Sequence, residues 1–191
     1  TAAELWAFDS AGVTGRMAGA STFAAPTFKD AYTGQAFDIA AASINGKLAL
    51  AYESAVARTH GWDTATVRRW GLAATAAPTA ANGGGAGVAT LRYYRERSTR
   101  QSAGVTIGRS EPSASVSFTP GANGVTVTQA AVINEGETHW EAEGSVDNVT
   151  FYRIATVAIA TTTYLDNAYP TTYNTNPLSA TTGVYTLQKP Y

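Results

Sequence analysis

The sequence predicts an all-β protein, and three observations carry that prediction. Between Thr138 and Ser145 the side chains alternate, with His139, Glu141 and Glu143 against Trp140, Ala142 and Gly144, which is the period of a strand. Thr150 to Val157 is dense in β-branched and aromatic residues, which suit a pleated surface. The segments between such runs carry turn chemistry, as in Asn45-Gly46, Pro120-Gly121-Ala122-Asn123-Gly124 and Val146-Asp147-Asn148-Val149.

Taken in order, residues 1–72 form a β-rich N-terminal unit. Residues 1–40 hold short apolar clusters, Leu5-Trp6-Ala7-Phe8 and then Phe23, Phe28, Tyr32 and Phe37, without a sustained helical period. They predict irregular chain with one or two strands. Lys47 to Ser54 follows the Asn45-Gly46 turn as a strand, Val56 to Trp62 leads into a turn at Asp63-Thr64, and Val67 to Leu72 closes the unit. Residues 73–87 are rich in Ala and Gly and are broken by Pro78, so they predict a linker. Residues 88–168 predict a sandwich of short strands: Val88–Arg97, Val105–Arg109, Ala114–Thr119, Val125–Gln129 and the run from Thr138 to Asp166. Trp140, Tyr152 and Ile154 are expected in or bordering its core. Residues 169–191 are rich in Tyr, Thr, Asn and Pro and predict an extended tail with one late strand at Gly183–Gln188, lying along a neighbouring chain or against the N-terminal region.

Composition narrows the function classes. Charged residues are 14% of the 191, against about 25% in an average globular protein. Ala, Thr, Ser and Gly replace them, which suits a surface packed against other protein. The formal net charge of −1 gives no electrostatic case for free nucleic acid or an anionic membrane as main ligand. With no cysteine in the chain, disulfides, Cys-based zinc sites and thiol catalysis are excluded. No apolar run reaches the ~20 residues that span a bilayer as a helix, and the first residues lack the pattern of a signal peptide. The chain begins with Thr, which is compatible with a processed product, a fragment or part of a longer protein.

Two stretches resemble known families. Trp140, Ser145, Asp147, Phe151, Tyr152, Ile154, Ala155, Thr156 and Val157, followed by Thr162, Thr163, Tyr164 and Asp166, resemble the second half of a fibronectin type III-like sandwich of the form found in phage virion proteins. Tyr93-Tyr94-Arg95 and Ser110-Glu111-Pro112-Ser113 fit the segment that precedes that hairpin. The resemblance spans about 90 residues, the size of one such sandwich. The succession Asn45-Gly46-Lys47-Leu48, Ala51-Tyr52, Ser54, Val56, Arg58, His60, Trp62-Asp63 and Val67-Arg68-Arg69 looks like one β-propeller blade of the tail proteins of short-tailed phages, with no second copy in the chain.

Residues able to carry chemistry are few. His60 and His139, the two histidines, fall in different predicted units, and neither has the spacing of a zinc site. No G-x-S-x-G elbow is present. Glu135, Glu137, Glu141 and Glu143 form the densest acidic cluster. Glu141 and Glu143, about 7 Å apart on one strand face, could be a glycosidase pair, but a solvated face that protects a strand edge is the favoured expectation. The run Gly83-Gly84-Gly85-Ala86-Gly87 lacks the Lys-Ser/Thr of a P-loop. Arg92, Arg95, Arg97 and Arg100, interleaved with Tyr93 and Tyr94, could stack bases but are expected at a protein interface. No catalytic, cofactor-binding or metal-binding residue is therefore assigned, and no cofactor is expected.

Resemblance and composition together imply a non-enzymatic structural protein of a bacteriophage virion, in the tail, neck or nozzle. Its expected partners are other virion proteins and copies of itself in a symmetric ring or collar, with residues 1–40 and 169–191 carrying much of the contact. The competing expectation is a carbohydrate- or cell-surface-binding adhesion module, extracellular or on the cell surface, that holds a host glycan on aromatics such as Trp62, Trp70 or Tyr164.

Overall fold

The computed structural model describes residues 4–9, 12–18, 40–44, 47–51, 60–62, 67–69, 71–179 and 184–185. The protein is mostly β-sheet and its sheets are antiparallel. It divides into two compact units, Thr1–Trp70 with Gln188–Tyr191, and Gly71–Leu187.

In the first unit β1 (Glu4–Asp9) pairs with β2 (Gly12–Ala18), the register shifting between Ala7 and Phe8. A separate sheet runs in chain order through β3 (Ala40–Ile44), β4 (Lys47–Ala51), β5 (His60–Trp62) and β6 (Val67–Arg69). Ile44 pairs with Lys47, the register a two-residue Asn-Gly loop dictates. The expected turns at 45–46 and 63–64 and residues 19–39 lie outside the described residues.

The second unit opens with β7 (Thr79–Ala86), β8 (Arg92–Ser102), β9 (Val105–Arg109), β10 (Val116–Phe118) and β11 (Asn123–Thr128). It continues with β12 (His139–Ser145), β13 (Tyr152–Ala158), β14 (Thr163–Asp166), a 3-10 helix at Pro170–Thr175 and β15 (Val184–Tyr185). One sheet has the order β14-β11-β7. The other has the order β13-β12-β8-β9-β15, and β10 also pairs with β8. The two sheets meet through Val125 and Val127 from one and Tyr94, Trp140 and Ala142 from the other, all buried. Ile154, Val157 and Tyr164 pack against that cluster. Trp140 is buried in the core with its indole N–H donating to Thr161 O at 2.8 Å, and Ile154 borders the core, both as expected. Tyr152 is half-buried and bridges to Leu178 instead.

Turn chemistry fixes the registers. Ser102 pairs with Val105 across Ala103 (φ 48°) and Gly104 (φ 77°), two left-handed residues as the favoured two-residue hairpin requires. At the next hairpin Asp147 Oδ1 accepts the amides of Val149 and Thr150 at 2.9 and 2.7 Å, and Asn148 takes φ 60°. Those two amides, with the Ser145 hydroxyl, hold the Asp147 carboxyl down to about 2.

Two segments differ from expectation. Residues 73–87 are not a linker: β7 lies within them and is hydrogen-bonded to β11 from Thr79↔Thr128 to Ala86↔Asn123. Small residues there permit close approach rather than flexibility. A Cβ on Gly83 would stand 2.5 Å from the Leu165 side chain, and one on Gly87 would stand 2.0 Å from Asn123 O. Composition misled because β7 draws its stability from the ladder and from neighbours lying over it, not from apolar side chains of its own.

Residues 169–179 are likewise not an extended tail. The 3-10 helix buries Tyr173, and beyond it Arg153 N donates to Pro177 O and Ser179 N to Phe151 O, both at 2.9 Å, so the chain follows the edge of β13. The late strand is present as β15, which pairs with β9. Hence residues 170–179 dock on their own unit. A single buried tyrosine supplies the anchor that the polar composition concealed. The rest of the expected contact segments, 180–183 and 186–191, lies outside the described residues.

Gly87→Ala separates a packed strand end from a linker. Forcing a methyl into the Asn123 carbonyl should cost about 1–3 kcal/mol in urea unfolding, whereas a linker glycine would lose less than about 0.5 kcal/mol.

Candidate functional site: a buried layer of arginines and carboxylates

The alternation of β12 sends Trp140 and Ala142 into the core, so Glu141 and Glu143 point to the opposite face of the same sheet. Neither is solvated: each is 1% exposed. β8 lies beside β12 with Glu141 opposite Arg97 and Glu143 opposite Arg95, and β13 on the other side places Arg153 opposite Glu143. Arg109 ends β9, one strand further out.

Arg109 grips Glu141 with two bonds, Nε to Oε2 and Nη2 to Oε1, both 2.7 Å. Arg153 Nη1 reaches Glu141 Oε1 at 3.2 Å. Glu143 Oε1 accepts from Arg97 Nε at 2.7 Å, and Glu143 Oε2 accepts from Arg95 Nε. Arg97 also donates to Ser110 O at 3.0 Å, and the Arg95 guanidinium lies 4.0 Å from the centre of the Phe151 ring. The hydrogen bond to Glu141, together with the charges of Glu141 and Glu143, raises the Arg109 pKa despite burial. Every oxygen of both carboxylates thus already accepts from a guanidinium. The layer can position groups and hold charge, but it offers no carboxylate oxygen without a partner for proton transfer to a sugar.

A second cluster sits where β8, β14 and the 3-10 helix meet. Asp166 Oδ2 accepts from Tyr94 Oη at 2.7 Å, from Arg92 Nη1 at 3.2 Å and from Tyr173 Oη, while Oδ1 accepts from Ala168 N at 3.0 Å. Arg92 also bonds Val88 O and Ala168 O. Arg92, Tyr94, Asp166 and Tyr173 are all 0–1% exposed. Burial first, then the neighbouring phenol and the Asp166 charge, pushes Tyr94 well above the usual tyrosine range. Burial and Asp166 push Tyr173 the same way.

The residues weighed from sequence thus fall differently than expected. The acidic cluster is not a solvated face: Glu141 and Glu143 enter the arginine layer, Glu135 Oε2 accepts from Ala73 N at 2.7 Å, and Glu137 caps the loop by accepting the amides of Asn134 and Glu135, both at 2.8 Å. The arginines do not form an exposed interface patch either. Arg92 and Arg97 are buried, Arg95 is 13% exposed, and Arg100 bonds the carbonyls of Glu135 and Gly136. For Arg95, Arg97, Glu141 and Glu143 the physical reason is that opposite charges on strands distant in sequence meet across one sheet. Glu96, which was not singled out, is buried and accepts Ala130 N at 3.0 Å, and burial pushes its carboxyl up. His139 is half-buried with Nδ1 2.9 Å from Thr138 Oγ1. The side chains of His60, Trp62 and Trp70 lie outside the described residues. Tyr164 is half-buried against the core rather than displayed, with its hydroxyl 3.5 Å from Ile154 O. Among the described residues there is no group of three His, Cys, Asp or Glu able to hold a metal, and no helix long and apolar enough to cross a membrane.

No family model, curated protein or solved structure matches the chain.

Two outcomes follow from the geometry. Glu143→Gln leaves Arg95 and Arg97 without their carboxylate, so urea unfolding should register a loss of about 3–5 kcal/mol; a loss below about 1 kcal/mol would mean that the layer is open to water. For the phenols, folded pKa values raised above the unfolded value of about 10 give stability that is full below that value and declines as pH rises beyond it. Stability measured against pH should therefore fall on the alkaline side, and Tyr173→Phe should flatten that fall. An identical alkaline slope in the variant would show that Tyr173 ionises as freely folded as unfolded.

Proposed function

We propose that the chain is a non-enzymatic structural segment of a bacteriophage virion, in the tail, neck or nozzle, whose second unit is a fibronectin type III-like sandwich that assembles with other virion proteins and with copies of itself. Strand order supports the sandwich type. β7, β8, β11, β12 and β13 stand where strands B, C, E, F and G stand in immunoglobulin-like sandwiches, with B beside E in one sheet and C-F-G in the other, and β14 takes the flank of E that D occupies there. The quoted motif also falls into this frame, with Trp140 in the core, Ser145 and Asp147 in the hairpin turn and Asp166 at the end of β14. In the first unit, the four-stranded meander β3-β4-β5-β6 has the strand succession of a propeller blade. Phage origin rests on the sequence resemblance, and a sandwich by itself serves many functions.

Assembly is carried by one observation, the open side of β7. Among the described residues this strand has one hydrogen-bonded neighbour, β11, and its eight residues, TAANGGGA, contain neither a charge nor a proline. Natural proteins ordinarily guard such an edge with one or the other. An edge left unguarded is a surface to which another chain can add a strand.

Gly84→Lys tests this. A Cβ at Gly84 meets nothing within 4 Å, so the unit should fold unchanged while a charge stands on the edge strand. In purified particles of the phage encoding the chain, immunogold against the wild type should label the tail or neck, and the lysine variant should fail to incorporate. Particles without label, or full incorporation of the variant, would overturn the proposal.

A further inference from the structure

A cavity of about 100 Å³ opens over the arginine layer, with Arg109, Glu141, Glu143 and Arg153 as its floor and residues 177–179 as its rim. Its volume would hold roughly three waters, the space of one small oxyanion. Among the described residues, the two arginines that line it, Arg109 and Arg153, share one carboxylate, Glu141. The two arginines in the wall also keep donors in hand. Arg109 spends Nε and Nη2 on Glu141, leaving Nη1, and Arg153 spends only Nη1, leaving Nε and Nη2. Their side chains are 20% and 34% exposed, so the cavity can be reached from solvent. On the rim, the buried hydroxyl of Ser179 has no hydrogen-bond partner among the described residues. Buried polar groups are nearly always satisfied, and an exception calls for an unseen partner.

From these observations we propose that the cavity is a binding site for a single small oxyanion, a carboxylate or phosphate group. Arg109 and Arg153 would supply charge-assisted donors and Ser179 Oγ a neutral one. A planar fork suits both oxyanions. Glu141 and Glu143 then act as positioning residues that hold the guanidiniums in place rather than as ligands. The proposal is independent of the phage reading, because it uses only the chemistry of this cavity. The oxyanion can be a free small molecule or the side-chain carboxylate of another protein.

The test titrates the full chain with sodium acetate, inorganic phosphate and a short glutamate-containing peptide, each at constant ionic strength set with chloride. Amide resonances of Arg153 and Ser179 and the thermal midpoint are followed. Saturable shifts at these residues, with a midpoint that rises by mass action, are expected for at least one probe. Preference for acetate or phosphate would indicate a free anion, and preference for the peptide a protein carboxylate. Arg153→Gln, at the more exposed of the two arginines, should weaken binding by about tenfold or more, the effect of losing one charge-assisted bond. Ser179→Ala, which leaves every ion pair intact, should weaken it by a smaller factor. Absence of saturation with all three probes, or equal affinity in both variants, would overturn the proposal.

Discussion

Glu141 and Glu143 stand on β12, an interior strand of the larger sheet, and neither can remain out of water unless arginines from other strands of that sheet reach it. Removing a carboxylate from water costs several kcal/mol even after relaxation, and the return depends on geometry and on satisfied lone pairs. Both conditions hold, since each glutamate is met by two guanidiniums and Arg109 meets Glu141 with a two-point grip. A buried ion pair of this kind contributes little net stability against an apolar layer of equal volume. Its stronger effect is on register. Sliding β12 by one residue would carry Trp140 out of the core and a glutamate into it, and the arginines would lose their partners in the same step.

After β14 the chain runs beside that layer, and residues 167–179 add no charge to it. The segment laid along it, Pro177-Leu178-Ser179, pairs through its backbone with β13 and presents no charge of its own. The 3-10 helix before it is pinned by Tyr173, whose hydroxyl shares Asp166 with Tyr94 and Arg92. One carboxylate thus ties strand β8, the end of β14 and the start of the covering segment together. Hydrogen bonds fasten the two sheets at that corner, and apolar packing joins them at their centre.

The sequence made much of the fold legible and little of the site. β12, β13 and the Asp147 turn were readable because period, residue type and turn chemistry all act within a few residues. β7 was not, because glycine and alanine advertise no face, and the reason for the glycines is the approach of Leu165, Thr126 and Asn123 from strands far along the chain. Tyr173 was hidden in a polar stretch, where one aromatic decides burial and its neighbours do not. The arginine layer left a trace that could have been read. Arg95 and Arg97 repeat at i, i+2, and so do Glu141 and Glu143, which is complementary spacing for two paired strands. Local inspection reads the glutamates as a solvated face and the arginines as an interface patch. Only the pairing of β8 with β12 brings the two pairs into one buried layer.

The same logic separates the two faces of the molecule on which binding can occur. Over the arginine layer the charges are held in set directions by ion pairs, so anything that binds there must fit donors already aimed. At β7 the opposite holds. The strand offers backbone N–H and C=O groups with almost no side chains to discriminate among partners, so specificity must come from shape and from what flanks the added strand. A weakly charged chain can tolerate such an edge only if another chain regularly covers it or if its exposure is brief, because exposed edges promote unwanted pairing. The glycines that let β7 pack closely on its own sheet also leave its outer side smooth. One compositional choice therefore produces both the tight interior contact and the open edge.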